Sequence, residues 1–256
     1  MEIFRYFKQI YGGKNALANH ISLFSLTGIW AILFIKYTAS WGNLLFYDKF
    51  YISVPSSNTE LWAYLFFGML LLIYFVGYGV NVVNSVMNNK ENGLPNLTLQ
   101  SFTDFVKILP MALYWIIFYL LIFAGGVFAL LKLNNPGFIY IFSSVMFCII
   151  PFILILLTQY AKDFEFRKEF FNLFSVFRIL EKVLGDVIFL SIGTFVLAVI
   201  PFFAIYKILT YPVGDEALIL NLVIKLGTLC FGCYLSLIFN YLYLTGLADI
   251  SKKQLK

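Results

Sequence analysis

The chain has 256 residues, of which 61% are hydrophobic, 20% aromatic and 12% charged, and its mean hydropathy is +0.88. A soluble domain has about 45–50% apolar and about 25% charged residues, so this chain has too few polar side chains to cover a water-exposed surface. Disordered chains are excluded as well, because they are rich in charge and poor in aromatic residues. The composition therefore predicts an integral membrane protein.

The net charge of +5 comes from 18 Lys and Arg against 13 Asp and Glu. Nucleic-acid binding requires basic residues that are clustered on one face. Here the basic residues are scattered along the chain, so we predict no nucleic-acid partner. The lipid bilayer is the predicted surrounding of the protein.

Six apolar stretches are long enough to cross a bilayer, which takes about 20 residues in a helix. With short loops they use nearly the whole chain, so residues 1–256 are predicted to form a single integral membrane domain. The predicted fold class is all-α, a polytopic bundle of six transmembrane helices. Its predicted spans are about 21–37, 61–83, 108–131, 137–160, 187–209 and 226–248.

The first span has an alternative interpretation. Its uncharged, largely apolar part, Ile21 to Ile35, is as short as the apolar region of a signal peptide. However, Lys36 and Tyr37 occupy the place where a cleavage site with small residues is expected. A transmembrane helix is therefore the favoured interpretation.

Lys and Arg are unevenly divided between the two sides of the predicted bundle. The side of the N-terminus has 13 of them and the opposite side has 5, namely Lys36, Lys49, Lys132, Lys207 and Lys225. Cytoplasmic loops of membrane proteins are enriched in Lys and Arg. We therefore expect both termini in the cytoplasm, and we expect Lys207 and Lys225 to reach the opposite interface from the ends of their spans.

Three stretches on the predicted cytoplasmic side are amphipathic at helical spacing. The first is Phe4 to Lys8. In the second, Phe102, Phe105 and Val106 share one face, with Asp104 and Lys107 nearer the other. Aromatic and basic residues in this pattern are typical of helices that lie in the membrane interface.

The third amphipathic stretch, residues 170–184, has the strongest pattern. Phe174 and Phe177 lie on its apolar face, and Arg178 is among the charged residues around the rest. We predict that these stretches form short cytoplasmic interfacial helices that lead into the next spans. The candidate contact residues are Phe102, Phe105, Phe174, Phe177 and Arg178. This order also allows a threefold repeat, in which each unit consists of an amphipathic stretch and a helical hairpin.

The last span has a stripe of small and hydrogen-bonding residues at intervals of four, namely Thr228, Gly232, Ser236 and Asn240. Such residues let membrane helices approach closely and pair. The stripe predicts a packing seam, and the alternative is a polar path for a substrate.

Cys230 and Cys233 have the spacing of redox and metal sites. Burial in hydrocarbon disfavours the thiolate that redox chemistry needs, and with Cys148 a structural zinc site still lacks its fourth ligand. We place the single histidine, His20, at the cytoplasmic edge of the first span, away from Cys233. We therefore predict packing cysteines, no metal, no cofactor and no catalytic residue.

No Asp, Glu, Arg or Lys is central in any of the six predicted spans. Intramembrane charges are the best indicator of ion-coupled transport, so that class is disfavoured. Gly77-Tyr-Gly79, near the end of the second span, is interpreted as a sequence that ends the helix.

Gly77-Tyr78, then Asn92-Gly93-Leu94-Pro95, then the run Phe102 to Leu109 resembles the pattern of a prokaryotic multi-pass membrane protein family of unknown function. Phe174 to Leu180 with Gly185-Asp186 resembles the second amphipathic stretch of that family. The resemblance covers residues from about 12 to 250. It departs from the pattern at residues 96–100, where the family has acidic and Trp residues. It implies a topology and a prokaryotic origin, and no reaction.

The sequence predicts a non-enzymatic component of the inner (plasma) membrane that contacts lipid or partner proteins through its cytoplasmic amphipathic segments. Other membrane proteins and further copies of the chain are the expected protein partners. The alternative is a transporter or channel subunit for a small neutral or hydrophobic solute. A membrane-embedded enzyme that acts on lipid is a third class.

Overall fold

The structure, a computed structural model, describes residues 2–13, 15–39, 57–88, 94–131, 136–210 and 218–254. These residues form helices and short connections, without a strand among them. Six helices are long and apolar enough to cross a membrane. The predicted fold class is confirmed: the chain is an all-α, multi-pass membrane protein.

Seven α-helices and one short 3-10 helix make up the described chain. The 3-10 helix is Lys168–Phe171, between α5 and α6. The α-helices are α1 (Glu2–Tyr11), α2 (Ala16–Ala39), α3 (Asn58–Met87), α4 (Gln100–Leu131), α5 (Pro136–Tyr160), α6 (Leu173–Thr210) and α7 (Leu218–Gln254). The six candidate spans lie in α2 to α7.

Two amphipathic stretches are not the separate short helices that the sequence predicts. α4 begins at Gln100 and α6 at Leu173, so each stretch continues into its span as one helix. No proline interrupts residues 173–186, and the single Gly185 costs only about 1 kcal/mol in a helix. In α6 the backbone hydrogen bonds therefore continue from the amphipathic stretch into the span, and α4 continues as one helix although Pro110, which has no backbone N–H, lies inside it. Only the first stretch forms a helix of its own, α1.

Gly77-Tyr-Gly79 does not end a helix, since α3 continues to Met87. A Cβ atom on Gly77 would lie 1.7 Å from the carbonyl oxygen of Ser101 in α4. Glycine is needed at this position because the backbones of α3 and α4 meet there. The helix also remains intact because Gly lowers helix stability without removing a backbone hydrogen bond.

The chain groups into two compact units, and α3, α6 and α7 contribute to both. Unit one consists of residues 1–76, 92–98 and 192–242, and unit two of residues 77–91, 99–191 and 243–256. The assignment of the whole chain to a single membrane domain stays a prediction.

In unit one, α1 and α2 pack on α7. Tyr6 and Ile10 of α1 are buried, and the ring of Phe7 lies edge-on to Phe239 at 6.2 Å. α3 is joined to α7 by the hydroxyl of Tyr241, which donates to the carbonyl of Phe75 at 3.0 Å.

In unit two, α4 and α5 form an antiparallel pair, and the first half of α6 packs on the end of α7. A Cβ atom on Gly246 would lie 2.6 Å from the side chain of Leu190, so this contact also requires glycine. The Lys252 ammonium donates to the carbonyl of Val86 at 3.1 Å, which ties the end of α7 to α3.

Candidate functional site

The predicted stripe on α7 is divided between two environments. Gly232 is buried and Thr228 half-buried, whereas Ser236 and Asn240 are exposed. A Cβ atom on Gly232 would meet Ile205 at 3.5 Å, an ordinary contact. The Asn240 amide donates to the carbonyl of Ser236 in the same helix at 2.9 Å. The polar path of the transport alternative would need Ser236 and Asn240 on an inner surface, and that path stays a prediction.

Cys230 and Cys233 are free, half-buried thiols. The Cys230 thiol lies 3.9 Å from the carbonyl of Gly28, at the contact between α7 and α2. The side chain of Cys148 lies outside the described part of the chain. Within that part, His, Cys, Asp and Glu nowhere form a group of three that could hold a metal ion.

His20 lies closer to the cysteines than the sequence predicts. Its Nδ1 atom is 2.7 Å from the hydroxyl of Tyr234, the residue after Cys233. The ring of Tyr11 stacks on the imidazole at 4.4 Å. Burial raises the pKa of the Tyr11 hydroxyl above its usual value, and the hydrogen bond to Tyr234 offsets part of this increase. The contact joins residues 214 positions apart, so no local pattern could have indicated it. It fastens α1 to α2 and α7.

Lys225 is buried, with only 2% of its surface exposed, and its contact with the membrane interface stays a prediction. Lys207 is exposed, with its ammonium 5.4 Å from the centre of the Phe203 ring. A position near the end of a span is therefore not sufficient to expose a lysine.

The first turns of α4 bury polar residues that the sequence places nearer the opposite face. Asp104 is 3% exposed and Ser101 is fully buried, whereas Val106 is 62% exposed. The predicted contact residues Phe102 and Phe105 are both half-buried. The inner face of α4 continues through Ile108, Met111 and Trp115, which follow Ser101 and Asp104 at helical spacing. The sequence did not indicate that Ser101 and Asp104 are buried, and the contact role of Phe102 and Phe105 stays a prediction.

The connection between α5 and α6, residues 161–172, is held by side-chain hydrogen bonds to its backbone. The amide of Asn84 donates to the carbonyls of Ala161 at 2.7 Å and Lys162 at 3.0 Å. At its other end, the Trp115 indole donates to the carbonyl of Phe170 at 3.0 Å. Tyr114 donates to the carbonyl of Phe171 at 2.8 Å. Both ends of the connection are therefore anchored in unit two.

Aromatic rings fill the space inside this connection. The ring of Tyr160 lies 5.0 Å from that of Phe166 and 6.1 Å from that of Phe170, which is buried. Arg167 pairs with Asp163, and its guanidinium lies 5.9 Å from the Phe170 ring. Rings at such spacing stabilise a fold beyond their buried area. The position at which α6 begins is therefore fixed by this connection.

The first four turns of α6, residues 173–186, are called the α6 overhang here. Its inner face is apolar, with Ile179 6% and Val183 1% exposed. On the outer face Phe174 is 75% and Phe177 53% exposed, and Arg178 is exposed as well. Large aromatic side chains outside the core of the chain are candidates for contact with another molecule.

The charges of the overhang follow the two phenylalanines. Arg178, Glu181, Lys182 and Asp186 alternate in sign along the helix, and all four are exposed. From residue 187 to 206 the helix has no charged residue, and these 20 positions cover about 30 Å of hydrocarbon. The overhang is thus additional to the length that a span needs.

Comparison of the chain with protein-family models, with curated proteins and with solved structures found no match. The surface of the α6 overhang therefore has to be interpreted from its own residues. The overhang has three notable features: its phenylalanines are exposed, its charges alternate in sign, and its start is anchored by hydrogen bonds.

Proposed function

We propose that this protein is a non-enzymatic component of a prokaryotic inner (plasma) membrane. It contacts lipid or partner proteins through amphipathic segments on the cytoplasmic side, above all through the α6 overhang. The supporting observation is the exposure of Phe174 (75%) and Phe177 (53%) on a helix whose other face is buried. A folded chain gains nothing from exposed rings of this size unless a second molecule covers them.

The cytoplasmic position of the overhang belongs to this proposal. It is supported by the division of Lys and Arg, 13 on the side of the N-terminus and 5 on the other. Membership of the prokaryotic family that the sequence resembles is part of the same proposal. A single cysteine at Phe174 in a chain freed of Cys148, Cys230 and Cys233 tests the orientation, because an impermeant maleimide should label it only in inverted vesicles.

The contact itself is tested by the double variant Phe174→Ser and Phe177→Ser. We expect normal membrane insertion, measured by resistance to alkaline extraction, together with loss of the proteins or lipids that co-purify with the chain in mild detergent. The matched control is Phe138→Ser with Tyr140→Ser, two exposed aromatic residues (50% and 75%) in the first turns of α5. An unchanged set of co-purifying molecules in the overhang variant would contradict the proposal.

A further inference from the structure

The first helix, α1, lies beside a membrane span and not beyond the end of that span. The ring of Phe7 packs edge-on against Phe239, and the hydroxyl of Tyr11 is hydrogen-bonded to that of Tyr234. Both of these α7 residues lie well inside the candidate span Val223–Lys253. The exposed side of α1 therefore faces the bilayer.

The face of α1 that the chain leaves exposed is aromatic and basic. Phe4, Lys8 and Tyr11 follow one another at helical spacing, and Phe4 is 68% and Tyr11 46% exposed. Lys8 is exposed and forms no ion pair among the described residues. Arg5, next to this face, is exposed as well. The helix thus presents two rings and two cations to its surroundings.

The charges of α1 do not balance. Its sequence has one acidic residue, Glu2, against Arg5 and Lys8. Glu2 is three positions before Arg5, where helical side chains are neighbours, and six positions before Lys8, on a different side of the helix. Glu2 can therefore neutralise Arg5 but not Lys8. The exposed face keeps an excess of positive charge, whereas the two signs balance in the α6 overhang.

The direction of α1 determines where the Lys8 ammonium can reach. Residue numbers rise from Phe7 to Tyr11 while those of their α7 partners fall from Phe239 to Tyr234, so the two helices are antiparallel. Side chains of a helix lean toward its N-terminus, which for α1 is toward the C-terminal end of α7. A lysine stem can carry its charge to the interface along an apolar surface. The Lys8 side chain is therefore directed toward the headgroup layer at that end.

The helix is held in place independently of any ligand. The ring of Tyr11 stacks on His20 at 4.4 Å, and the Nδ1 atom of His20 lies 2.7 Å from the hydroxyl of Tyr234. In the first turn of α2, the Asn19 amide donates to the carbonyl of Leu94 at 2.9 Å. A site that is already ordered loses less conformational freedom when it binds.

We infer that the exposed face of α1 binds an anionic phospholipid, in which Lys8 donates to the headgroup phosphate, Arg5 is the second donor and an acyl chain lies against Phe4 and Tyr11. A cation at membrane depth is costly unless an anion pairs with it, and anionic lipids supply that anion at the cytoplasmic surface. Basic residues beside aromatic ones are typical of helices in this position. The inference rests on the proposed function and names the lipid class that one amphipathic segment contacts.

The test measures thermal unfolding of the full chain in an uncharged mild detergent, with phosphatidylglycerol, phosphatidylcholine or inorganic phosphate added. A molecule that binds only the folded chain raises its Tm with concentration. We expect phosphatidylglycerol to raise the Tm more than phosphatidylcholine at equal concentration. Inorganic phosphate should leave the Tm unchanged, because it has no acyl chain to contact the rings. Equal shifts with the two lipids, or the same shift with inorganic phosphate, would overturn the inference.

The position of the site is tested by Lys8→Gln. One basic residue near a membrane surface contributes about fivefold in affinity for anionic lipid, so the phosphatidylglycerol concentration that gives half of the Tm shift should rise about fivefold. Lys8→Arg keeps the charge and should respond like the wild type. The matched control is Lys168→Gln, at an exposed basic residue of the 3-10 helix, which should also respond like the wild type.

The Tm of each variant without lipid shows whether it folds. A wild-type response in Lys8→Gln would contradict the inference, and so would a loss in Lys168→Gln as large as that in Lys8→Gln, because any surface cation would then serve.

These measurements separate failure of the inference from failure of the proposed function. If Lys8→Gln responds to phosphatidylglycerol like the wild type while Phe174→Ser with Phe177→Ser removes the co-purifying molecules, the inference is wrong and the proposed function stands. If neither variant differs from the wild type, both are wrong.

Discussion

Two stretches that look alike in the sequence, the first turns of α4 and the α6 overhang, have opposite surroundings in the structure. Both combine aromatic and charged residues at helical spacing. In α4 the polar residues Ser101 and Asp104 face inward, whereas in α6 the polar residues Arg178 and Glu181 face outward with Phe174 and Phe177.

The difference arises from what each helix packs against. The start of α4 lies directly on the backbone of α3, where Gly77 leaves room for Ser101. Small and polar residues suit such a close contact, and large rings do not. The overhang instead packs through Ile179 and Val183 and leaves the opposite face exposed. An amphipathic pattern identifies two faces of a helix, and the neighbouring helix decides which one is buried.

The largest expected effect is at the contact between α3 and α4. Gly77→Ala places a Cβ atom 1.7 Å from the Ser101 carbonyl, so the helices must separate. We expect a loss of about 3 kcal/mol in unfolding free energy, which is typical of overpacking, measured by denaturation in detergent micelles. Gly185→Ala in the overhang is the matched control, because its Cβ meets nothing within 4 Å. It should be neutral or raise the stability by about 0.5–1 kcal/mol. A Gly77→Ala protein as stable as the wild type would show that α4 does not lie against α3.

A smaller effect is expected from removing one acidic residue of each stretch. Asp104 is 3% exposed and its carboxylate lies 3.7 Å from the Lys107 ammonium, so Asp104→Ala should cost about 2 kcal/mol in unfolding free energy. Glu181→Ala, at an exposed position, should leave the unfolding free energy of the solubilised protein unchanged. Thermal denaturation of both variants in the same detergent measures the difference. Equal losses would mean that the two helix starts have the same surroundings.

The smallest effect concerns the anchor that positions the overhang. Trp115→Phe removes the indole donor to the Phe170 carbonyl and keeps an aromatic ring, so we expect a loss of about 1 kcal/mol in unfolding free energy. Limited proteolysis should also cut residues 161–172 faster than in the wild type. Trp62→Phe is the control, since Trp62 is 66% exposed. Wild-type proteolysis rates in Trp115→Phe would show that this hydrogen bond does not hold the connection.

Much of the candidate site follows from its local sequence. The helical spacing of Phe174 and Phe177 places these two residues on one face, and the structure has both of them and Arg178 exposed. Phe102 and Phe105 are half-buried, and the burial of Ser101 beside them follows from its close approach to Gly77, a residue more than twenty positions away. The pairing of His20 with Tyr234 and the burial of Lys225 depend on still more distant neighbours.

The sequence by itself determined the class of the protein and its six membrane-spanning stretches. Hydropathy and the length needed to cross hydrocarbon are properties of a single segment, so they can be read without neighbours. The tertiary structure alone decided where α4 and α6 begin, which of their faces is buried and which phenylalanines remain available to a partner. Those features depend on contacts between helices that are far apart in the chain. The composition, with 12% charged residues, identified a membrane protein, and packing placed Asp104 and Lys225 inside it.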